Sequence, residues 1–315
     1  MSSSTRAIVI AVGGNALIKD PKRISVGDQA EAVREACERI ASLVEEGYTP
    51  IITHGNGPQV GFLLRRAELA QADLPPLPLD VLGADTQGAT GYLFSRSLRN
   101  CLARRGIHRE VAAVVTQTVV DPQDPAFASP SKPVGSFMTE AEARAHQERD
   151  GWEVREDAGR GWRRVVPSPS PVEIIERDVV KTLVDSGSLV IACGGGGIPV
   201  RRQDDELVGV EAVIDKDLAS ALLASCLGVK DLVICTAVDQ VCLSFNTPDQ
   251  RALDTMTVEE AASYLADGQF GAGSMAPKIE SALSFLAEGG ERAIITSLEA
   301  LQDALEGNAG TRITH

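Results

Sequence analysis

The stretch Ala7-Ile8-Val9-Ile10-Ala11-Val12-Gly13-Gly14-Asn15-Ala16 decides the fold class. Six apolar residues, four of them β-branched, are too few for a buried helix and stop on paired glycines. They read as a strand covered on both faces, the kind that forms parallel sheets. The same arrangement recurs. Pro50–Thr53 is apolar and β-rich and runs into His54-Gly55-Asn56-Gly57-Pro58. Leu189–Cys193 runs into Gly194-Gly195-Gly196-Gly197. Val111–Thr116, Leu232–Cys235 and Ala293–Thr296 are further strand candidates. Helical patterns separate them, over 80–105, 171–186, 217–228, 258–267 and 277–289. Another starts at Asp28, a candidate N-cap with Glu31 three residues on, and stops at Gly47. Alternation of this kind predicts a three-layer αβα sandwich around an open, mainly parallel sheet.

One segment breaks the rhythm. Residues 121–136 carry four prolines, and Pro167, Pro169 and Pro171 close the far side. Between them lie a helix capped by Thr139 with Glu142, and a hairpin of Trp152–Arg155 and Trp162–Val166. The pattern predicts a small inserted lid subdomain over 119–170, interrupting an N-terminal lobe over 1–186; a C-terminal lobe covers 187–315.

Composition removes several function classes. The 315 residues carry a net charge of -14, which repels nucleic-acid phosphates, so no nucleic-acid partner is expected. Aromatics make up only 4%, leaving the core to Ala, Val, Leu and Ile. No apolar run approaches a membrane span, and the first residues carry no secretory pattern, so a cytoplasmic location without membrane partners is expected. The six cysteines include no C-x-x-C pair, and the four histidines show no metal spacing, so no metal ligand is assigned. A P-loop is absent, and Gly55-x-Gly57-x-x-x-Gly61 misses the dinucleotide spacing.

The three glycine clusters follow parallel strands and so share one sheet edge, where ligands of such folds bind. Glycine lets backbone N–H groups approach an anion, although one glycine after a strand is more often a turn. Only seven residues are lysines against 23 arginines. Lys132, Lys216 and Lys278 sit in Gly/Pro-rich or apolar contexts, the last two opening helices. A cation there opposes the helix dipole and calls for a negative partner. That partner is either a ligand or a local acid such as Asp215, Asp217 or Glu280.

Six strings carry a resemblance: HGNGPQVG (54–61), SKPVGSF (131–137), EDAGRGWRRVVPSPSP (156–171), IACGGGGIPV (191–200), GVEAVIDKDLAS (209–220) and GSMAPKIESA (273–282). Together they resemble the carbamate kinases of the amino acid kinase family, from Ala7 to the terminal GTRI. The insert strings are specific to that group; the glycine loops indicate only the wider family. The resemblance implies reversible phosphoryl transfer from carbamoyl phosphate to ADP, giving ATP and carbamate, usually in arginine catabolism and usually by a homodimer. It implies carbamate or carbamoyl phosphate and ATP or ADP as small-molecule substrates, with Mg2+ accompanying the nucleotide.

By the same resemblance, Lys278 bridges the leaving side and the migrating group, and Lys216 holds nucleotide phosphate. Asp217 orients the lysines. Gly13, Gly14 and Asn15 face the phosphoryl group, and Gly55 and Asn56 the carboxylate-like end. Thr236, Ala237 and Asp239 form the nucleotide loop, and Gly273 and Met275 flank the adenine. Other members of the wider family place a lysine where Val12 stands, and Lys132 would deliver that charge from the lid. Departures are Ser136 and Met138 in the insert and Cys242 and Ser244 after the nucleotide loop. Two other readings compete: a family member acting on a different small acid or phosphate, and a non-catalytic nucleotide or metabolite sensor.

Overall fold

A computed structural model describes residues 6–14, 17–18, 20, 22–157, 159–271 and 273–315. Its first half contains β1 (Arg6–Val12), α1 (Val26–Glu45), β2 (Tyr48–His54), α2 (Gly57–Ala70), α3 (Leu79–Arg104), β3 (Val111–Ala113) and β4 (Gln117–Val120). The insert follows, with β5 (Lys132–Met138), α4 (Glu140–Asp150), β6 (Val154–Glu156) and β7 (Trp162–Val166). The chain returns through β8 (Pro171–Ile174), α5 (Arg177–Asp185), β9 (Leu189–Ile191), β10 (Ile198–Gln203), β11 (Glu206–Gly209) and α6 (Lys216–Leu227). It ends with β12 (Asp231–Thr236), β13 (Val241–Leu243), β14 (Arg251–Leu253), β15 (Thr255–Thr257), α7 (Val258–Ala266), α8 (Ala276–Ala287), β16 (Arg292–Ser297), α9 (Leu301–Glu306) and β17 (Thr311–Thr314).

The expected sandwich is present. Eight strands form one sheet in the order β15-β17-β16-β12-β1-β2-β9-β3. From β16 to β3 neighbouring strands run parallel; β17 is antiparallel to β16. β1 therefore lies mid-sheet, which explains its apolar run: Ile8 to Val12 are all 0% exposed. Alternate residues feed two cores. Ile8, Ile10 and Val12 pack with Ile40, Phe94 and Leu98 beneath α1 and α3. Val9 and Ala11 pack with Leu223, Ile279 and Phe285 beneath α6 and α8. Each fully buried Leu, Ile or Phe contributes about 1.5–3 kcal/mol of transfer free energy. Among the described residues no helix is long and apolar enough to cross a membrane.

The insert is a three-stranded antiparallel sheet, β5-β7-β6, with α4 capped by Thr139 and Glu142 as the pattern predicts. A four-stranded sheet, β11-β10-β4-β8, takes β4 and β8 from either side of the insert in the chain and β10 and β11 from beyond β9. β9 comes from beyond residue 186 yet sits between β2 and β3, so the main sheet is continuous across that sequence boundary.

Several local expectations need correction. Asp28 is not the N-cap of α1. Ser25 caps it, and Asp28 is the third helical residue, returning the bond to the Ser25 N–H at 3.2 Å. The capping box is there, shifted by one turn, because the first turn tolerates Val26 and Gly27. Residues 171–186 are not one helix: the segment starts as β8, paired antiparallel with β4, and only then forms α5. Strand pairing overrides helical spacing there. Val111–Thr116 is a strand only to Ala113, after which the chain crosses to the four-stranded sheet. Leu189–Cys193 ends as a strand at Ile191.

Phe285 is fully buried in the α6/α8 core. Phe285→Ala is expected to cost about 3–5 kcal/mol of unfolding free energy, with an unchanged urea m-value. Equilibrium urea denaturation measures it.

Candidate active site

β1, β2 and β9 are parallel neighbours, so the three glycine-rich exits emerge on one edge. Loop packs on loop. The Gly55 N–H donates to the Val12 carbonyl at 2.9 Å. A Cβ on Gly55 would meet the Gly14 nitrogen at 2.7 Å, and one on Gly195 would meet Asn56 Nδ2 at 2.1 Å. Gly195, Gly196 and Gly197 also hold positive φ, between 68° and 95°. Packing alone thus demands these glycines, and glycine content by itself would not identify a ligand site. Asn56 Nδ2 donates to Thr86 Oγ1 at 2.8 Å, which commits one amide hydrogen to the scaffold. Asn15 lies outside the described residues. Gly13 sits where its Cβ would be 3.0 Å from the Cys235 carbonyl.

The lysines are brought together by the start of α6. Asp215 caps that helix, accepting the Asp217 N–H at 2.8 Å. The other oxygen of Asp215 accepts from Lys132 Nζ at 2.9 Å. Asp217 accepts from Lys216 Nζ on one oxygen and from Lys278 Nζ on the other, the latter at 2.7 Å. Asp217 is 3% exposed. Burial alone would raise its pKa; the ammonium charges of Lys216 and Lys278 and their hydrogen bonds outweigh it and hold the carboxyl at about 2. Residues far apart in sequence, at 132, 216 and 278, therefore converge on two carboxylates one residue apart. Three cations and two anions leave one positive charge in a chain of net charge -14. Such a local excess of positive charge is suited to an anion.

The chain ends of β12 and α8 complete the edge. Thr236 ends β12, beside β1 and parallel to it; Ala237 and Asp239 follow in an exposed turn. Gly273 and Met275 lead into α8, three to five residues before Lys278.

A family model described as the amino acid kinase family matches residues 6–297. A carbamate kinase of Clostridium perfringens is 49% identical over 97% of this chain and 99% of its own length. One from Pyrococcus horikoshii is 47% identical over 98% of both chains. A solved carbamate kinase from Giardia lamblia bound to AMP-PNP superposes with a TM-score of 0.93 at 43% identity, covering 99% of each chain. The chain belongs to the amino acid kinase family, and within it to the carbamate kinases.

Carbamate kinase sequence strings did not reveal how the insert is fastened to the body. Arg164 of β7 pairs with Glu211 at 3.1 Å, and the second oxygen of Glu211 accepts the Leu79 N–H at 2.7 Å, at the start of α3. The Val213 N–H donates to the Pro167 carbonyl at 3.0 Å. The only sequence signal for this pair was that Arg164 and Glu211 fall inside the quoted strings. α2 was also unannounced, although Pro58 just inside its start is a common helix opening. Cys193 and Cys235 are both buried, and burial pushes their thiols up, Cys235 to about 12. Neither is a nucleophile at neutral pH.

The folded-state pKa of Asp217 lies below its ordinary 3.8. Its contribution to stability is therefore complete above about pH 4 and disappears as pH falls towards 2. Asp217→Asn should lose about 3 kcal/mol at pH 7, because two ammonium groups remain without a buried counter-charge. It should also flatten the acid limb of stability between pH 4 and 2, as measured by urea denaturation across that range.

Proposed function

We propose that the chain catalyses reversible transfer of a phosphoryl group between carbamoyl phosphate and ADP, yielding ATP and carbamate. Convergence of Lys132, Lys216 and Lys278 on Asp215 and Asp217 is the observation that carries this reading. Transfer of a phosphoryl group between two anions needs positioning and charge neutralisation more than covalent help. A β-phosphate oxygen of ADP attacks phosphorus while the bond from phosphorus to the carbamoyl oxygen breaks. Carbamate leaves with that electron pair and decomposes to ammonia and carbon dioxide.

Each residue has a physical task in that step. Lys278 and Lys216, aimed by Asp217, neutralise the migrating group and the nucleotide phosphates. Lys132 brings the third charge from the lid, and Asp215 holds it until an anion competes for it. Gly13, Gly14 and Asn15 offer donors to the phosphoryl group; Gly55 and Asn56 serve the carbamoyl end. Thr236, Ala237 and Asp239 receive the nucleotide, with Gly273 and Met275 beside the base. This reading divides the chain into an acceptor lobe, 1–186, carrying the lid, 119–170, and a nucleotide lobe, 187–315.

Mg2+ is the metal that this reading implies. Asp215 and Asp217 are engaged by lysines, and among the described residues no group of three His, Cys, Asp or Glu is placed to hold a metal. Such a donor set suits an ion held mainly by nucleotide phosphates and water, with Asp239 at the edge. Bound with the nucleotide, the ion would neutralise phosphate charge. The same reading makes the protein a cytoplasmic homodimer, for which light scattering should give twice the mass of one chain.

The test is ATP formation from ADP and carbamoyl phosphate in a coupled assay. Turnover with a different acyl phosphate and none with carbamoyl phosphate would move the substrate within the family. Nucleotide binding without any turnover would make the protein a sensor.

Lys278→Ala and Lys132→Ala should each lower kcat by on the order of 10²–10³, since each removes a donor aimed at transition-state charge. Protease nicking within 121–133 should slow when nucleotide and carbamoyl phosphate are bound together, and the Lys132→Ala protein should lose most of that protection. Gel-resolved cleavage kinetics measure both.

A further inference from the structure

His54 closes β2 and is 1% exposed. Its ring stacks on Phe94 of α3, with centroids 5.7 Å apart and planes 15° apart. Nδ1 lies 3.1 Å from the carbonyl oxygen of Gly55. A carbonyl only accepts, so Nδ1 carries the proton. Burial lowers the ring pKa to about 4, against the bond to Gly55 and with the Lys216 charge, so the imidazole is neutral at pH 7 and Nε2 is bare. Nε2 faces the next loop: a Cβ on Gly194 would stand 2.5 Å from it. One neutral ring thus touches the glycine loops that follow β2 and β9.

A trans peptide holds its C=O and N–H in opposite directions. With the Gly55 carbonyl turned onto the buried ring, the N–H of Asn56 points away from the ring. We propose that His54 is a positioning residue: its Nδ1–H fixes the Gly55–Asn56 peptide so that the Asn56 N–H is presented to the carboxylate-like end of carbamate or carbamoyl phosphate. This deepens the kinase reading and rests on it. Without that anchor the peptide can rotate, and a fixed donor becomes one that must be reoriented on each binding event. The loss falls on the carbamoyl side, because the bonded carbonyl and the N–H of the same peptide belong to the loop after β2, which the kinase reading gives to the carbamoyl end. Packing alone would not require a hydrogen-bond donor at this point; any flat apolar group could lie on Phe94.

The experiment compares His54→Leu with His54→Asn, whose amide places an N–H near the position of Nδ1. In the ATP-forming assay His54→Leu should raise KM for carbamoyl phosphate about tenfold, with KM for ADP unchanged. His54→Asn should bring it back to within about threefold of the wild type. Equal effects of the two variants on KM, or parallel changes in both KM values, would reduce His54 to packing and overturn the proposal. Nitrogen-15 NMR of the wild-type imidazoles at pH 7 decides the point independently of whether either variant folds. One of the four histidines, assigned to His54 by its contact with Phe94, should be neutral and protonated on Nδ1; protonation on Nε2 would overturn the proposal. Absence of turnover in the wild type, with the Nδ1–H form present, would instead fault the substrate reading.

Discussion

A carboxylate with almost no access to water, held between two ammonium groups, organises the ligand edge of this protein. Asp217 could not be buried alone: desolvation of an ion costs several kcal/mol, and the group would protonate instead. Nor could Lys216 and Lys278 stand side by side without it. At an effective dielectric of about 20, each contact is worth on the order of 4 kcal/mol or more of Coulomb energy, most of it offset by desolvation. The triplet is therefore a small net term for stability and a strong constraint on geometry. It fixes α8 against the start of α6 by charge as well as by the apolar contacts below. Lys278 reaches Asp217 from the first turn of α8, which ties its ammonium to the start of α6.

The sheet supplies the other constraint. Because β1, β2, β9 and β12 run parallel, every loop leaving their carboxyl ends competes for the same small volume. Glycine resolves the competition, as at Gly55 against Gly14 and Gly195 against Asn56. Close packing of backbones and close approach of an anion impose the same requirement here. Substitution at these positions would damage both together, so loss of activity alone would not separate them. The lysines are the more discriminating part, since folding does not require an excess of buried-edge cations.

Legibility followed the same division. The parallel α/β class could be read from Ala7–Val12, because a strand buried on both faces shows as an unbroken apolar run. The helix starting at Thr139 could be read from its capping box. The extent of strands could not: β3 stops at Ala113 and β8 replaces a helical pattern because partners elsewhere in the chain accept those hydrogen bonds. The candidate site was legible only in its residue types. Spacing marked Lys132, Lys216 and Lys278 as unusual, while resemblance to the carbamate kinases supplied their roles. Asp215 stood out as a candidate local counter-ion, and it does accept from Lys132. His54 drew no attention as a residue in its own right, since one histidine beside a glycine run carries no pattern. Its meaning lies in Phe94 and Gly194, far away in sequence.

The strength of the lid contacts bears on how the third lysine can work. Lys132 is 38% exposed in its bond to Asp215, and Glu211 is about half exposed in its bond to Arg164. Ion pairs at such exposure are each worth about 1 kcal/mol or less. Together with one backbone hydrogen bond these polar contacts amount to a few RT; the larger hold on the insert is apolar, Val134 and Val166 being buried in one cluster with Val60, Leu64, Leu79 and Leu82. On the proposed reading, a binding anion does two things at once. It offers Lys132 a partner with more charge than Asp215, and it binds only the arrangement in which all three ammonium groups are present. The closed state gains by that difference in affinity and by nothing else. On that reading, the apolar seat keeps the insert in place while the exposed pair of Lys132 with Asp215, worth little by itself, leaves the third charge free to respond to the group to be transferred.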